Sequence, residues 1–371
     1  MFNKEVIIIS AQENDCIGTM CQSILSQIDV CDILKITFFY QATNDEEYLW
    51  NKNILKTITK EHFPLQTPLI SYVAQKSANN TLTAEVAYLV YNEDISIEHH
   101  DLYKLLKNDN CTEIVTAGII PLDLSKSTFE QSCEIFSVIA DILQSNGFVP
   151  SDIYRQWNYI QGITMLNNGS QNYQEFNDAR SIFYSGCEWN NGYPAATGIG
   201  CDAGGVMIEF CAVKDNMTLN MPIDNPLQIA AHNYSQMVLE GKAADALQEK
   251  STPKFERARI LGNTIYISGT AAIKGEHSNT CNDIIEQTTE TMEVMNHLIS
   301  KENIPTDNKG AEYDILRIYI KREEDIPAVI EYMQYHYPIV QKHYAVADIC
   351  RPELLVEIEG IAHICANENN Q

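Results

Sequence analysis

Positive charge is scarce in this chain. Lysine and arginine number 25 against 50 aspartates and glutamates, a formal net charge of −25. A chain this acidic repels phosphate backbones, so nucleic acid is not an expected partner. Long apolar runs are also missing. Nothing approaches the roughly 18 uncharged apolar residues that suggest a membrane span. The N-terminal Val6-Ile7-Ile8-Ile9 run is too short for a signal peptide and reads as a buried strand. The 11 cysteines are an odd number with no CxxC pair, which argues against a disulfide framework and a structural zinc site. They read as reduced thiols of a cytoplasmic protein. The nine histidines show no HxH or HExxH spacing, and His99-His100 reads as solvated. Gly198-Ile199-Gly200 lacks the third glycine and the acidic partner of a dinucleotide loop. Neither a metal nor a cofactor is implied.

What is present is enough for a folded core. Hydrophobic residues make up 45% of 371, well outside the disordered class. One layout is written three times. Asp32-Ile33-Leu34-Lys35-Ile36, Asp152-Ile153-Tyr154-Arg155 and Asp314-Ile315-Leu316-Arg317-Ile318 each open an apolar strand. Each is followed by a helical stretch and then a closing strand with a glutamate, Glu85, Glu209 or Glu359. Internal repeats of this kind set the fold.

Apolar spacing predicts helices over 15–27, 46–58, 127–144, 173–183, 284–299 and 326–335, with Ser127 and Glu130 as a capping pair. The expected architecture is α/β (α+β), three β-α-β-α-β units in tandem as a pseudo-trimer. The units span 1–94, 95–213 and 254–371, and 214–253 reads as a linker or insertion with a helix-prone exposed part over 239–249. The tail 366–371 is expected to fray. Three sheets, each with one uncovered face, can face inward and cover one another. The chain is therefore expected as a monomer that is its own trimer, or as a weak homo-oligomer, with ligand clefts between units.

Two residues before the shared glutamates stand Thr83, Met207 and Glu357. Only the third unit has an acid there. Glu357 and Glu359 alternate with Val356 and Ile358, so both point to one face of a strand. Desolvation would raise a carboxyl there and suit it to general acid work. The competing reading is an exposed strand face, or pairing with Arg351. Of seven arginines, Arg257 and Arg317 flank third-unit strands and could hold a carboxylate substrate bidentately. Either could equally be a surface ion-pair partner.

The stretch 262–273, Gly-Asn-Thr-Ile-Tyr-Ile-Ser-Gly-Thr-Ala-Ala-Ile, followed by a helix and 349–359, Ile-Cys-Arg-Pro-Glu-Leu-Leu-Val-Glu-Ile-Glu, resembles the YjgF/RidA-like superfamily. That resemblance implies a chorismate-mutase-like fold, with 1–94 a degenerate unit and 254–371 the catalytic one. Within the superfamily the chain is closest to the chorismatases. Phe255-Glu256-Arg257-Ala258, Gln156-Trp157-Asn158, Pro194-Ala195-Ala196-Thr197 and Asn225-Pro226-Leu227-Gln228 carry that likeness. It implies secondary metabolism and cofactor-free release of pyruvate from chorismate or a related enolpyruvyl carboxylate. Glu357 would be the catalytic acid, and Cys350 would be a second catalytic residue. Arg257 and Arg317 would hold carboxylates, and Tyr234, Gly269 and Ala271 would line the site. Cys350 matches hydroxybenzoate-forming members and Ala271 matches diol-forming members, so the two product markers disagree. The chain departs from the family at His232 and Ser235, at Thr280, and through an insertion over 236–251. Two alternatives follow: an imine deaminase, which would need an arginine where Lys342-His343 stand, and a degenerate metabolite-binding protein.

Overall fold

The computed structural model describes residues 2–90, 95–167, 169–215, 219–242, 247–306 and 308–365. The tail 366–371, the unit boundary at 91–94 and part of the helix-prone stretch, 243–246, lie outside them. The rest of 239–249 forms no helix.

Six helices appear where apolar periodicity places them: α1 (Ile17–Leu25), α2 (Asp45–His62), α3 (Thr128–Ser145), α4 (Asn172–Tyr184), α5 (Ile284–Leu298) and α6 (Ile326–His336). Side-chain caps fix three of the starts. The Asn44 side chain accepts from Glu47 N, Ser127 and Glu130 form a reciprocal capping box, and Asp283 accepts from Ile285 N and Glu286 N. Each cap satisfies amide donors that have no partner inside the helix.

Each unit carries the same four strands in the same order. In the first, Lys4–Ser10 pairs with Thr83–Leu89, then Ile33–Tyr40, then Leu69–Ala74. In the second the order is Cys111–Thr116, Val206–Asp215, Ile153–Gln161, Ala195–Cys201. In the third it is Thr264–Ala271, Val356–Ile364, Ala311–Ile320, Gln341–Val346. The last strand of each set runs parallel to its neighbour. The unit is therefore β-α-β-α-β-β, one strand more than the sequence predicts. The second and third sheets are also extended at their edges. Ser96–His99 and Tyr103–Lys107 add a hairpin to the second sheet. Asn220–Ile223, inside the expected linker, joins the third through Ala258–Leu261, and Lys76–Ser77 of the first unit closes the other edge.

Helices pack on the outer face of each sheet, giving a separate core per unit. The inner faces share one central core, with Phe39 from the first unit, Tyr154 and Trp157 from the second, and Tyr266 and Tyr319 from the third. The closing strands alternate accordingly. Val356 and Ile358 pack under the helices, while Glu357 and Glu359 face inward.

At the centre the three shared glutamates make a cyclic set of ion pairs. Lys35 of the first unit donates to Glu209 of the second at 2.9 Å. Arg155 of the second pairs with Glu359 of the third. Arg317 of the third pairs with Glu85 of the first, Nη2 to Oε1 at 2.8 Å. Each cation thus reaches into the next unit. The ring departs from threefold symmetry in one place. Lys35 and Arg155 stand opposite Ala87 and Cys211, two residues past the glutamate, whereas Arg317 stands opposite Glu359 itself. The Asp-Ile-Leu motif of the third unit is therefore offset by two residues from the other two. Arg317 consequently also binds its own Glu359, at 3.0 Å.

Candidate active site

A cleft lies between the second and third units. The third unit supplies Glu357 from its closing strand and Gly269 and Ala271 from its first strand. The second supplies Tyr173 and Asn177 from α4 and Gly198 from the parallel strand. A shift in pairing between Ile267 and Thr270 bulges the first strand, and Ala271 then stands opposite Glu357. Gly269 sits in that bulge, where an added Cβ would collide with Glu357 Oε1. The absence of a side chain at 269 therefore leaves room for the carboxyl.

Glu357 is 4% exposed. Burial, and then the neighbouring charge of Glu359, push its carboxyl up to about 8, against a smaller opposing pull from Arg155. Burial alone would raise Glu359 too, but Arg155 and Arg317 outweigh it and hold that carboxyl below its ordinary value. Two carboxyls on one strand face thus differ in charge at neutral pH, one protonated and one ionised. Cys350, also in the wall, has its thiol pushed up to about 12, by burial first and then by Glu357. It is a neutral thiol, not a thiolate nucleophile.

Two guanidiniums complete the wall. Arg257 Nη2 donates to Tyr234 Oη at 2.7 Å and to Ile229 O at 2.5 Å. Arg351 Nη1 donates to Glu276 O and Ser278 Oγ, both at 2.9 Å. Their Cζ atoms lie 5.5 and 5.3 Å from the Tyr234 ring centroid. Among the described residues neither has a carboxylate within ion-pair distance, and Arg257 Nε is buried without a hydrogen-bond partner. Cationic groups left in this state suit an anionic ligand.

The cleft therefore brings together Glu357, Cys350, Arg257, Tyr234, Ala271 and Gly269. Arg317 is not among them. It is bound by Glu85, Glu359 and the Tyr159 hydroxyl at the central ring, so its donors are already used. Arg351 takes its place at the cleft. The pairing of Arg351 with the strand glutamates, weighed from sequence, does not occur. Tyr173 and Asn177, from a different unit, carry no local signal that links them to Glu357. The insertion also contributes: Val238, Leu239 and Glu240 line the cleft, and Gln236 and Lys250 bond across its ends at 2.9 and 3.0 Å. Ser235, where the family pattern has proline, donates through N and Oγ to Glu276 at 2.8 and 2.9 Å. Among the described residues one trio, Glu312, His363 and Cys365, has ligand atoms close enough for a metal, but none lines the cleft and His363 already bonds Asp314 at 2.6 Å.

Residues 104–212 match the family described as chorismatase FkbO/Hyg5-like, N-terminal. A 3-hydroxybenzoate synthase of Streptomyces hygroscopicus is 28% identical over 295 residues, 75% of this chain and 82% of that protein. A chorismatase of Streptomyces rapamycinicus is 30% identical over 245 residues, 61% of this chain and 68% of that protein. The chain belongs to the chorismatase family. A chorismatase crystal structure shares its fold, with a TM-score of 0.72 over 97% of this chain and 98% of that one at 20% identity. The cleft described above is lined by residues of a single polypeptide. No helix among the described residues is long and apolar enough to cross a membrane.

Proposed function

We propose that this protein converts chorismate, or a close enolpyruvyl relative, and releases pyruvate, with Glu357 as general acid. The observation that carries this reading is a buried carboxyl, pushed up to about 8, sharing a cleft with two arginines that have no carboxylate partner among the described residues. The substrate has two carboxylates, and Arg257 and Arg351 would each take one. Glu357 gives its proton to the enolpyruvyl methylene, which becomes the methyl group of pyruvate. The adjacent carbon becomes oxocarbenium-like and is attacked by water, or by an oxygen of the ring. With water, one proton returns to Glu357 as the hemiketal forms. The hemiketal hydroxyl proton passes to the ether oxygen as the C–O bond breaks, leaving pyruvate and a ring diol. With a ring oxygen as nucleophile, the proton it loses returns to Glu357 in the same way. A positioned general acid contributes on the order of 10²–10⁴ in rate. Glu359, ionised beside it, opposes loss of that proton until charge develops on the substrate. Cys350 acts as a neutral wall against the ring, and Tyr234 holds Arg257. One chain supplies the residues named here, so the reaction needs no second copy at this site.

Imine deamination finds less support. Where that chemistry needs an arginine, His343 is buried, and burial with the Arg317 charge pushes it down to about 3, so it is neutral. The test is incubation of wild-type protein with chorismate, coupling pyruvate to lactate dehydrogenase and separating the ring product by chromatography. Pyruvate with stoichiometric diol or hydroxybenzoate is expected, and the ring product decides between the Ala271 and Cys350 markers. No pyruvate from folded protein would sink chorismate as substrate.

A further inference from the structure

The pseudo-symmetry gives the active-site cleft a counterpart between the first and second units. Pairing registers fix the correspondence. Lys104 stands opposite Val115, which stands opposite Cys211, two residues past Glu209. Arg259 stands opposite Tyr266, which stands opposite Ile361, two residues past Glu359. Lys104 therefore matches Arg259, and Leu102 matches Arg257. The bonds Ala117 N to Leu102 O at 2.8 Å and Ser268 N to Arg257 O at 3.0 Å correspond accordingly. Gly118 matches Gly269: an added Cβ would strike Met207 Sδ at the one and Glu357 Oε1 at the other. At the position that holds the acid Glu357 in the third unit, the second unit has the buried thioether of Met207, which does not line the counterpart cleft.

Its lining is out of keeping with the rest of the molecule. In a chain of net charge −25, a cleft of about 410 Å³ is lined by Lys52, Lys56 and Lys60 of α2, Lys104, and His99 with His100, with Asp101 the one acid in its wall. Lysines at i, i+4 and i+8 of one helix repel, which disfavours the helix unless something else is gained. A solvated face would interleave carboxylates. Here, among the described residues, none of the four lysines has a carboxylate within ion-pair distance. Lys104 is 2% exposed, and its Nζ donates to Ile33 O at 2.9 Å. Burial pushes the ammoniums of Lys52 and Lys104 down to about 8, with the charge of Lys56 adding to it at Lys52 and Asp32 opposing it at Lys104.

We propose that this second cleft binds a small phosphate-bearing polyanion through its lysines and does not turn it over. Ammonium groups are compact point charges suited to phosphate oxygens, whereas the active-site wall uses the planar guanidiniums that suit carboxylates. The cleft volume suits a small molecule. The sheets of the first and second units would be bridged by the ligand.

The probe is inorganic pyrophosphate, titrated calorimetrically at fixed ionic strength into wild type, into the Lys56→Gln/Lys60→Gln double variant and into Arg257→Gln. Lys56 and Lys60 are exposed, so the double variant keeps the fold, which melting curves check directly. Wild type is expected to bind one pyrophosphate with a submillimolar Kd. The lysine variant should bind at least about tenfold more weakly, and Arg257→Gln should match wild type. Citrate at equal ionic strength should bind at least about tenfold more weakly than pyrophosphate. Equal binding by wild type and the lysine variant, loss in Arg257→Gln instead, or no binding by wild type would each overturn the proposal. Equal affinity for citrate would overturn the assignment to phosphate.

Discussion

Glu357→Gln should make the protein more stable while removing its activity. In the folded protein the carboxyl titrates near 8, against an ordinary value of 4.5. An acid whose folded pKa is raised binds more protons folded than unfolded. Its contribution to stability is therefore neutral below about pH 4, falls as pH rises from there, and levels off above about pH 8. At pH 7 the gap between about 4.5 and 7 costs about 3 kcal/mol, taking about 1.4 kcal/mol per pH unit. Glutamine is nearly isosteric with the protonated carboxyl and cannot ionise, so the variant escapes this cost. The assay is urea denaturation of wild type and variant from pH 4.5 to 8. The two midpoints should coincide at the acid end and diverge steadily toward the alkaline end. Parallel midpoints across that range would refute the argument that burial keeps Glu357 protonated.

Turnover should fall as pH rises through about 8, because the active form of Glu357 is the protonated one; a profile flat from pH 6 to 10 would contradict this. Arg317→Ala should act on stability, costing about 3–5 kcal/mol by leaving Glu85 and Glu359 as buried charges with fewer partners, measured as a drop in urea midpoint. Arg351→Ala should instead raise KM for a carboxylate substrate at least about tenfold with little change in midpoint, since it is half-exposed and pairs with no carboxylate. Gly269→Ala should lower kcat by displacing the Glu357 carboxyl, and steady-state kinetics of folded variant would show the loss.

Much of the fold was legible because helix periodicity and caps are local signals. Ser127 with Glu130, and the apolar stripe of α5, needed no tertiary information. The parallel strands were not legible for a physical reason. Ala195–Cys201 carries two glycines, Leu69–Ala74 follows two prolines, and Gln341–Val346 is half polar. Each becomes a strand by pairing with the middle strand of its unit, which propensity does not encode. Glu357 stood out in the sequence because its counterparts are Thr83 and Met207. Arg317 was misplaced for the opposite reason. Its motif reads like those of Lys35 and Arg155, yet it falls two residues further along its strand, so Arg317 stands opposite Glu359 itself. A strand slip of two keeps a side chain on the same face, so periodicity could not reveal it. The far wall, Tyr173 and Asn177, belongs to another unit and is brought to Glu357 only by the packing of inner faces.

The measurement that bears most directly on the account is single-turnover pyruvate release from chorismate by wild type beside Glu357→Gln, with both shown to be folded. Pyruvate from wild type, and a rate reduced on the order of 10²-fold or more in the variant, is the predicted result. Equal rates would contradict the assignment of Glu357 as the acid.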